Sequence, residues 1–333
     1  MYLLELLNLK FLFFCFLIFL INFLLLYFAN YFARLLNIFD YPNERKIHMS
    51  PTPLIGGVCL FFTISISLIF IYFQSLFSLN KIIIFALFSI IFFAIGLFDD
   101  SKGLSPKIKT LIIVITIVLL LPFEDDFLIK ELKFKSSNIN LNLNYFSFLF
   151  TMFCIFALYN ALNFIDGYNG SATSIIIFWA LFLILKNPNL LYLSLIISML
   201  LIFLYNLSGK IFLGNSGTSI ISIFFSLSII NDYNVVKNMF ADEILLILLF
   251  PGIDMIRVTF ERIIYNRKIY FPDNSHFHHY LIKINFQYIW QLILMLTIIP
   301  LIIFYIFDNI YVPIFFSIFT YSLLILYFKA KLK

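Results

Sequence analysis

Charge is scarce in this 333-residue sequence: Asp, Glu, Lys and Arg together make up 12% of it, about half of the roughly 25% found in soluble domains. A water-facing globular surface cannot be built from so little charge, and a disordered chain would need more of it and far fewer apolar residues. Cysteine is sparse as well. Cys15, Cys59 and Cys154 are odd in number, far apart and embedded in apolar runs, which excludes a disulfide framework or a CxxC metal site and leaves them as packing residues. Ten glycines exclude a collagen-like chain.

What the sequence has instead is hydrocarbon: 63% apolar and 20% aromatic residues, including 46 Phe. With about 20 apolar residues needed per bilayer crossing, the runs bounded by charge, Gly, Pro or Asn predict eleven spans, near 11–32, 58–78, 82–98, 109–122, 145–162, 172–186, 189–206, 211–231, 243–260, 289–307 and 310–328. Lys186-Asn187-Pro188-Asn189 separates two of them. The alternation of barrel strands is absent, so the expected fold is all-α. We expect an integral membrane protein with a single domain over 1–333. The first run is longer than a signal-peptide core and has no small-residue cleavage site, so it is expected to stay as an anchor.

Eleven spans put the termini on opposite sides. The loops after spans 1, 3, 5, 7 and 9, with the C-terminal tail, hold 15 of the 22 Lys and Arg, so the positive-inside bias predicts an outer N-terminus and a cytoplasmic C-terminus. All four histidines and the carboxylates Asp99, Asp100, Asp166 and Asp254 fall on that same side. The longest outer loop, 123–144, reads as a solvated connection.

Five segments on the basic side could bear chemistry. The first loop holds Arg45, Lys46 and His48, then Pro51, Pro53 and Gly56-Gly57: a cationic patch suited to phosphate, or a lipid-headgroup anchor. Span 3 ends in Asp99-Asp100. Adjacent carboxylates at the negative end of a helix dipole suffer desolvation and mutual repulsion that a divalent cation relieves, although an exposed helix stop would also suffice. Span 5 ends in Asn160, Asn163 and Asp166-Gly167: the two asparagines share a helix face and Asp166 continues the row if the helix persists, an arrangement that suits a metal or polar ligand, or forms a packing seam. Gly209 to Ser219 is a Gly-rich turn that could nest a phosphate at a helix N-terminus; it lacks the P-loop pattern. The last loop holds Asp254, Arg257 and then His276, His278 and His279. These imidazoles could bind Zn²⁺ or donate to phosphate, and no HExxH helix is present.

Taken in order, the segments Asp40 to Gly57 (with RKxHxxPxPxxGG), Asp99-Asp100, Asn160 to Gly170 (NxxNxxDGxxG), Phe212 to Ser219 and Asp254 to His279 (ending PDxxHxHH) resemble the polyprenyl-phosphate N-acetylhexosamine-1-phosphate transferase family. The similarity covers nearly the whole chain. It is closer to the WecA- and TagO-like branch than to the phospho-MurNAc-pentapeptide transferases, which end in a contiguous HHHFE-like motif.

This resemblance implies an eleven-helix enzyme of the inner membrane with a cytoplasmic site. It would move a sugar 1-phosphate from a UDP-N-acetylhexosamine to a polyprenyl phosphate, releasing UMP and starting a cell-envelope glycan. Mg²⁺ is the implied cofactor, with Mn²⁺ as a substitute. A homodimer is compatible with the family, and no nucleic acid partner is expected. Carried over residue by residue, the catalytic groups would be Asp99, Asp100, Asp166, His276 and His278. Substrate would meet Arg45, Lys46, His48, Asn160, Asn169 and His279, and the metal would meet Asp100, Asn163 and Asn215. Asn215 and Asn169 depart from the family, whose members commonly have Asp there. Asn keeps a carbonyl oxygen but no formal charge, so weaker Mg²⁺ binding is expected.

Two other classes fit a polytopic chain. A transporter would place its polar groups near the bilayer midplane on broken helices, whereas these lie at one face. A non-catalytic scaffold homologue would not need the aspartates and histidines together.

Overall fold

Lipid offers the backbone no hydrogen-bond partners, so a chain of this composition is confined to helices. The computed structural model describes residues 9–42, 50–268 and 275–332, and helices dominate it. Among the described residues, nine helices are long and apolar enough to cross a membrane; this is an all-α, multi-pass membrane protein. Two expected runs differ. The run at 172–186 is a 16-residue helix, Ser171–Lys186, and the run at 243–260 is divided at Leu248.

Two compact units can be distinguished, Met1–Leu104 with Ala180–Phe224 and Ser105–Trp179 with Phe225–Lys333. The first contains α1 (Leu9–Tyr27), α2 (Ala29–Leu36), the short pair β1 (Phe39–Asp40) and β2 (Thr52–Pro53), α3 (Gly56–Phe73) and α4 (Leu79–Lys102). α3 packs on α1 and α4. Its neighbour α8 (Leu190–Leu207) follows Asn187-Pro188, where the helix break was expected, and Asn189 caps it by accepting from Leu191 N at 3.0 Å. Without a hydrophobic drive between helices in lipid, buried polar contacts bind them. Asn22 Nδ2 donates to Thr63 Oγ1 (2.9 Å), Ser198 Oγ donates to Asn22 Oδ1 (2.8 Å), and Ser67 Oγ donates to Ser194 Oγ (2.7 Å).

The second unit contains α5 (Pro106–Leu120), the antiparallel hairpin β3 (Glu131–Phe134) and β4 (Ile139–Asn142), and α6 (Ser147–Ile165). It also contains α10 (Ala241–Ile247), α11 (Leu249–Ile264), α12 (Phe277–Lys283), α13 (Ile289–Phe307) and α14 (Tyr311–Lys331). α7 (Ser171–Lys186) and α9 (Gly214–Asn231) each contribute residues to both units. The connection expected at 123–144 is thus a built hairpin. Tyr233 Oη accepts from Lys133 N (2.6 Å), and Asp242 accepts from Lys135 N (2.5 Å) and Ser136 Oγ (2.8 Å).

The break between α10 and α11 has a covalent cause. Pro251 has no N–H, so the carbonyl of Ile247, four residues earlier, loses its helical donor. Trp179 Nε1 donates to that carbonyl instead, at 2.9 Å. α11 then packs along α6, bringing Asp254 and Arg257 into the neighbourhood of the α6 C-terminus.

Candidate active site

In the first unit, α4 stops at Gly103, whose φ of +74° is open to glycine. Asp99 closes this end, its Oδ1 accepting from Leu104 N at 2.7 Å. Asp100 is bonded to another element. Its Oδ1 accepts from Asn215 N (2.8 Å) and Asn215 Nδ2 (3.1 Å), and its Oδ2 accepts from Ser216 N (2.9 Å) and Ser216 Oγ (2.7 Å).

A carboxylate has about four acceptor sites, so this one is saturated. Its donors include the first N–H groups of α9, where the unpaired backbone and the helix dipole favour negative charge. The anion in the Gly-rich turn is therefore Asp100 itself, a correction to the expected phosphate nest. Two glycines make the approach sterically feasible. A Cβ on Gly57 would lie 2.3 Å from Ser216 Oγ, and one on Gly96 would lie 2.4 Å from the Asn215 carbonyl oxygen.

In the second unit, α6 ends in the expected polar row. Asn160 Nδ2 donates to Phe156 O at 2.8 Å and Asn163 Nδ2 to Tyr159 O at 3.1 Å. Each carboxamide turns its NH₂ to its own helix, so its carbonyl oxygen is the atom suited to meet a cation. Asp166 is the C-cap, with its N–H bonded to Leu162 O. Asn169 lies in the following turn, half-buried.

The histidines pack against that same helix end. The His276 ring lies 4.6 Å from Phe164 and 5.9 Å from His278, nearly parallel to the latter at 5°, while His278 and His279 are 4.1 Å apart. Gly167 passes beneath the His278 ring. The NxxNxxDG and HxHH motifs are thus neighbours within one unit. His278 is buried, and its Nε2 has no hydrogen-bond partner among the described residues. Burial, then the neighbouring His279 and His276, hold its imidazole well below the usual pKa, so it is neutral at pH 7.

Sequence reasoning missed what holds His276. Its Nδ1 lies 3.1 Å from Asp254 Oδ2, and Asp254 Oδ1 accepts from Phe277 N (3.1 Å), Tyr321 Oη (2.6 Å) and Arg257 NH2 (2.8 Å). The i, i+3 spacing of Asp254 and Arg257 was a readable signal. Tyr321 sits in an aromatic-rich span with nothing to single it out.

Arg45, Lys46 and His48 lie outside the described residues. The remaining candidates fall into two groups: Asp99, Asp100 and Asn215 in the first unit, and Asn160, Asn163, Asp166, Asn169, His276, His278 and His279 in the second. Among the described residues no three His, Cys, Asp or Glu cluster tightly enough to enclose a metal. Hard carboxylate and carboxamide oxygens nevertheless fit Mg²⁺, which takes one or two carboxylates and completes its shell from water and substrate phosphate.

Comparison with known proteins gives a consistent set of relatives. The description "Glycosyl transferase family 4" matches residues 82–232. The chain is 27% identical over 288 residues to the undecaprenyl-phosphate alpha-N-acetylglucosaminyl 1-phosphate transferase of Escherichia coli (strain K12), covering 81% of this chain and 76% of that one. It is 27% identical over 267 residues to the protein of the same name from Thermotoga maritima, covering 78% of each. A probable undecaprenyl-phosphate N-acetylglucosaminyl 1-phosphate transferase of Bacillus subtilis (strain 168) is 26% identical over 263 residues, covering 75% and 71%.

Proposed function

We propose, from the premise that the chain belongs to glycosyl transferase family 4, that it moves a sugar 1-phosphate onto a polyprenyl phosphate. The donor in this reading is a UDP-N-acetylhexosamine and the by-product is UMP. N-acetylglucosamine is the sugar in the names of the three relatives, and undecaprenyl phosphate is their acceptor. The observation that supports the reading best is the packing of His276 and His278 on the α6 end bearing Asn160, Asn163 and Asp166, with an unpaired imidazole nitrogen. Polar side chains gathered at the end of a membrane helix are costly without a polar ligand.

In the reaction, an acceptor phosphate oxygen bonds to the sugar-bearing phosphorus of the donor as the bridging oxygen departs with UMP. The chain's task is to hold two anions in line and to stabilise charge shifting to the leaving phosphate. Imidazole N–H groups suit the donor diphosphate, and Asn160 and Asn169 the nucleotide side. The basic residues Arg45, Lys46 and His48 suit an anion arriving at the membrane surface. Asp99 orients the acceptor. A polyprenyl phosphate is already largely ionised near neutral pH, so positioning matters more than proton removal.

The candidate oxygens for Mg²⁺ are those of Asn163 in the second unit and of Asp100 and Asn215 in the first, and the ion would neutralise the diphosphate and stabilise the departing charge. To meet the ion, Asp100 and Asn215 would give up part of their mutual hydrogen bonding. We place this chemistry on the cytoplasmic face of the inner membrane, following the basic loops.

The test is UMP release by the purified protein, supplied with polyprenyl phosphate, Mg²⁺ or Mn²⁺ and a panel of UDP-N-acetylhexosamines. Turnover with one donor is expected; none with any donor would overturn the reading.

A further inference from the structure

We propose that Asp254, held by Tyr321 and Arg257, is the positioning residue that fixes the tautomer and plane of the His276 imidazole. Its activity test rests on the transfer reaction proposed above; its geometry does not.

Asp254 is 2% exposed, and a buried carboxylate persists only when paired and fully hydrogen-bonded. Its partners converge from three elements: Arg257 one turn along α11, His276 and Phe277 N at the start of α12, and Tyr321 on α14. Three of the four are on Oδ1, leaving Oδ2 to His276. An ionised carboxylate only accepts, so the ring nitrogen facing it must carry hydrogen. That assigns the proton to Nδ1 and turns Nε2 away from Asp254.

Charge balance is handled elsewhere in the cluster. Arg257 pairs with Asp254 and also with Glu261 (2.9 Å), and Lys329 pairs with Glu261 (2.8 Å). Two cations therefore offset two carboxylates without drawing on the imidazole, and the Asp254–His276 contact serves orientation. Position is fixed in the same way. Arg257 NH2 donates to Ser275 O at 2.6 Å, pinning the backbone that leads into His276, and Arg257 Nε donates to Tyr321 Oη at 2.5 Å. Phe164 and the parallel His278 ring then hold the imidazole plane.

The experiment uses the full chain in lipid nanodiscs. Asp254→Asn should lower kcat on the order of 10- to 100-fold, by analogy with the loss of a carboxylate that orients a metal-ligating histidine, and Tyr321→Phe should lower it less. A residue acting through His276 has no effect once His276 is gone, so Asp254→Asn added to His276→Ala should change the residual rate by less than about twofold. An equal loss in both backgrounds would mean a merely structural role and overturn the proposal.

A second reading needs neither variants nor turnover. Nitrogen-15 NMR of labelled histidine in the unmodified protein should show His276 protonated at Nδ1, and a bare Nδ1 would overturn the proposal. If the protein releases no UMP from any donor, the transferase reading fails and the NMR result still decides the role of Asp254.

Discussion

Gly167 lies so close to His278 that a Cβ added to the glycine would sit 2.1 Å from the imidazole Nε2. Of all residues, only glycine lets the chain leaving α6 pass under that ring. Gly167→Ala should therefore displace His278 and cut turnover about 100-fold, the cost of roughly 1 Å of misplacement. Gly252→Ala is the control: its Cβ would meet nothing within 4 Å, and unchanged UMP release is expected.

Asp100 should matter for stability before it matters for chemistry. Asp100→Asn replaces an acceptor with an amide that cannot accept from all four donors of Asn215 and Ser216. One unmet donor costs about 1–3 kcal/mol. A lowered thermal midpoint is expected in purified protein without substrates. An unchanged midpoint would show that the cap contributes nothing.

The depressed pKa of His278 has a defined sign. Above its ordinary value of 6.5 the ring is neutral in both folded and unfolded chains and contributes no pH dependence. As pH falls below 6.5 the unfolded chain takes up the proton and the folded one resists, so stability falls on acidification. Melting curves from pH 7.5 to 5.5 should decline, and His278→Gln should flatten the decline.

Asn215 offers a test of the metal that needs no turnover. Asn215→Asp would set a second carboxylate beside Asp100, where Asn215 Nδ2 is now 3.1 Å from Oδ1. The like charges should lower the melting temperature in chelator, and added Mg²⁺ should raise it more than in the unmodified protein. Equal Mg²⁺ shifts in both would show that this pair does not bind the ion. Chelation should also stop UMP release by the unmodified protein.

The helical, multi-pass fold was legible because scarcity of charge and the lengths of apolar runs depend on local sequence and on the solvent, lipid. The row Asn160, Asn163 and Asp166 was legible for a related reason: helical periodicity fixes which neighbours share a face. The hairpin at 131–142 was missed, since its strands are short and depend on Tyr233 and Asp242, about 100 residues away. The division of α10 from α11 could have been read from Pro251, but not the use of Trp179 to satisfy Ile247.

By itself the sequence determined that the chain is helical and multi-pass and which polar groups gather at helix ends, because those outcomes follow from local composition and the lengths of apolar runs. Partnership was decided only in the tertiary structure. Asp99 and Asp100 are adjacent in the chain, yet one closes its own helix end and the other binds the N-terminus of α9, more than 100 residues along. Asp254 and Tyr321 likewise become one cluster only when α11, α12 and α14 pack. A hydrogen bond requires atoms within about 3 Å, and across such separations only the fold sets that distance.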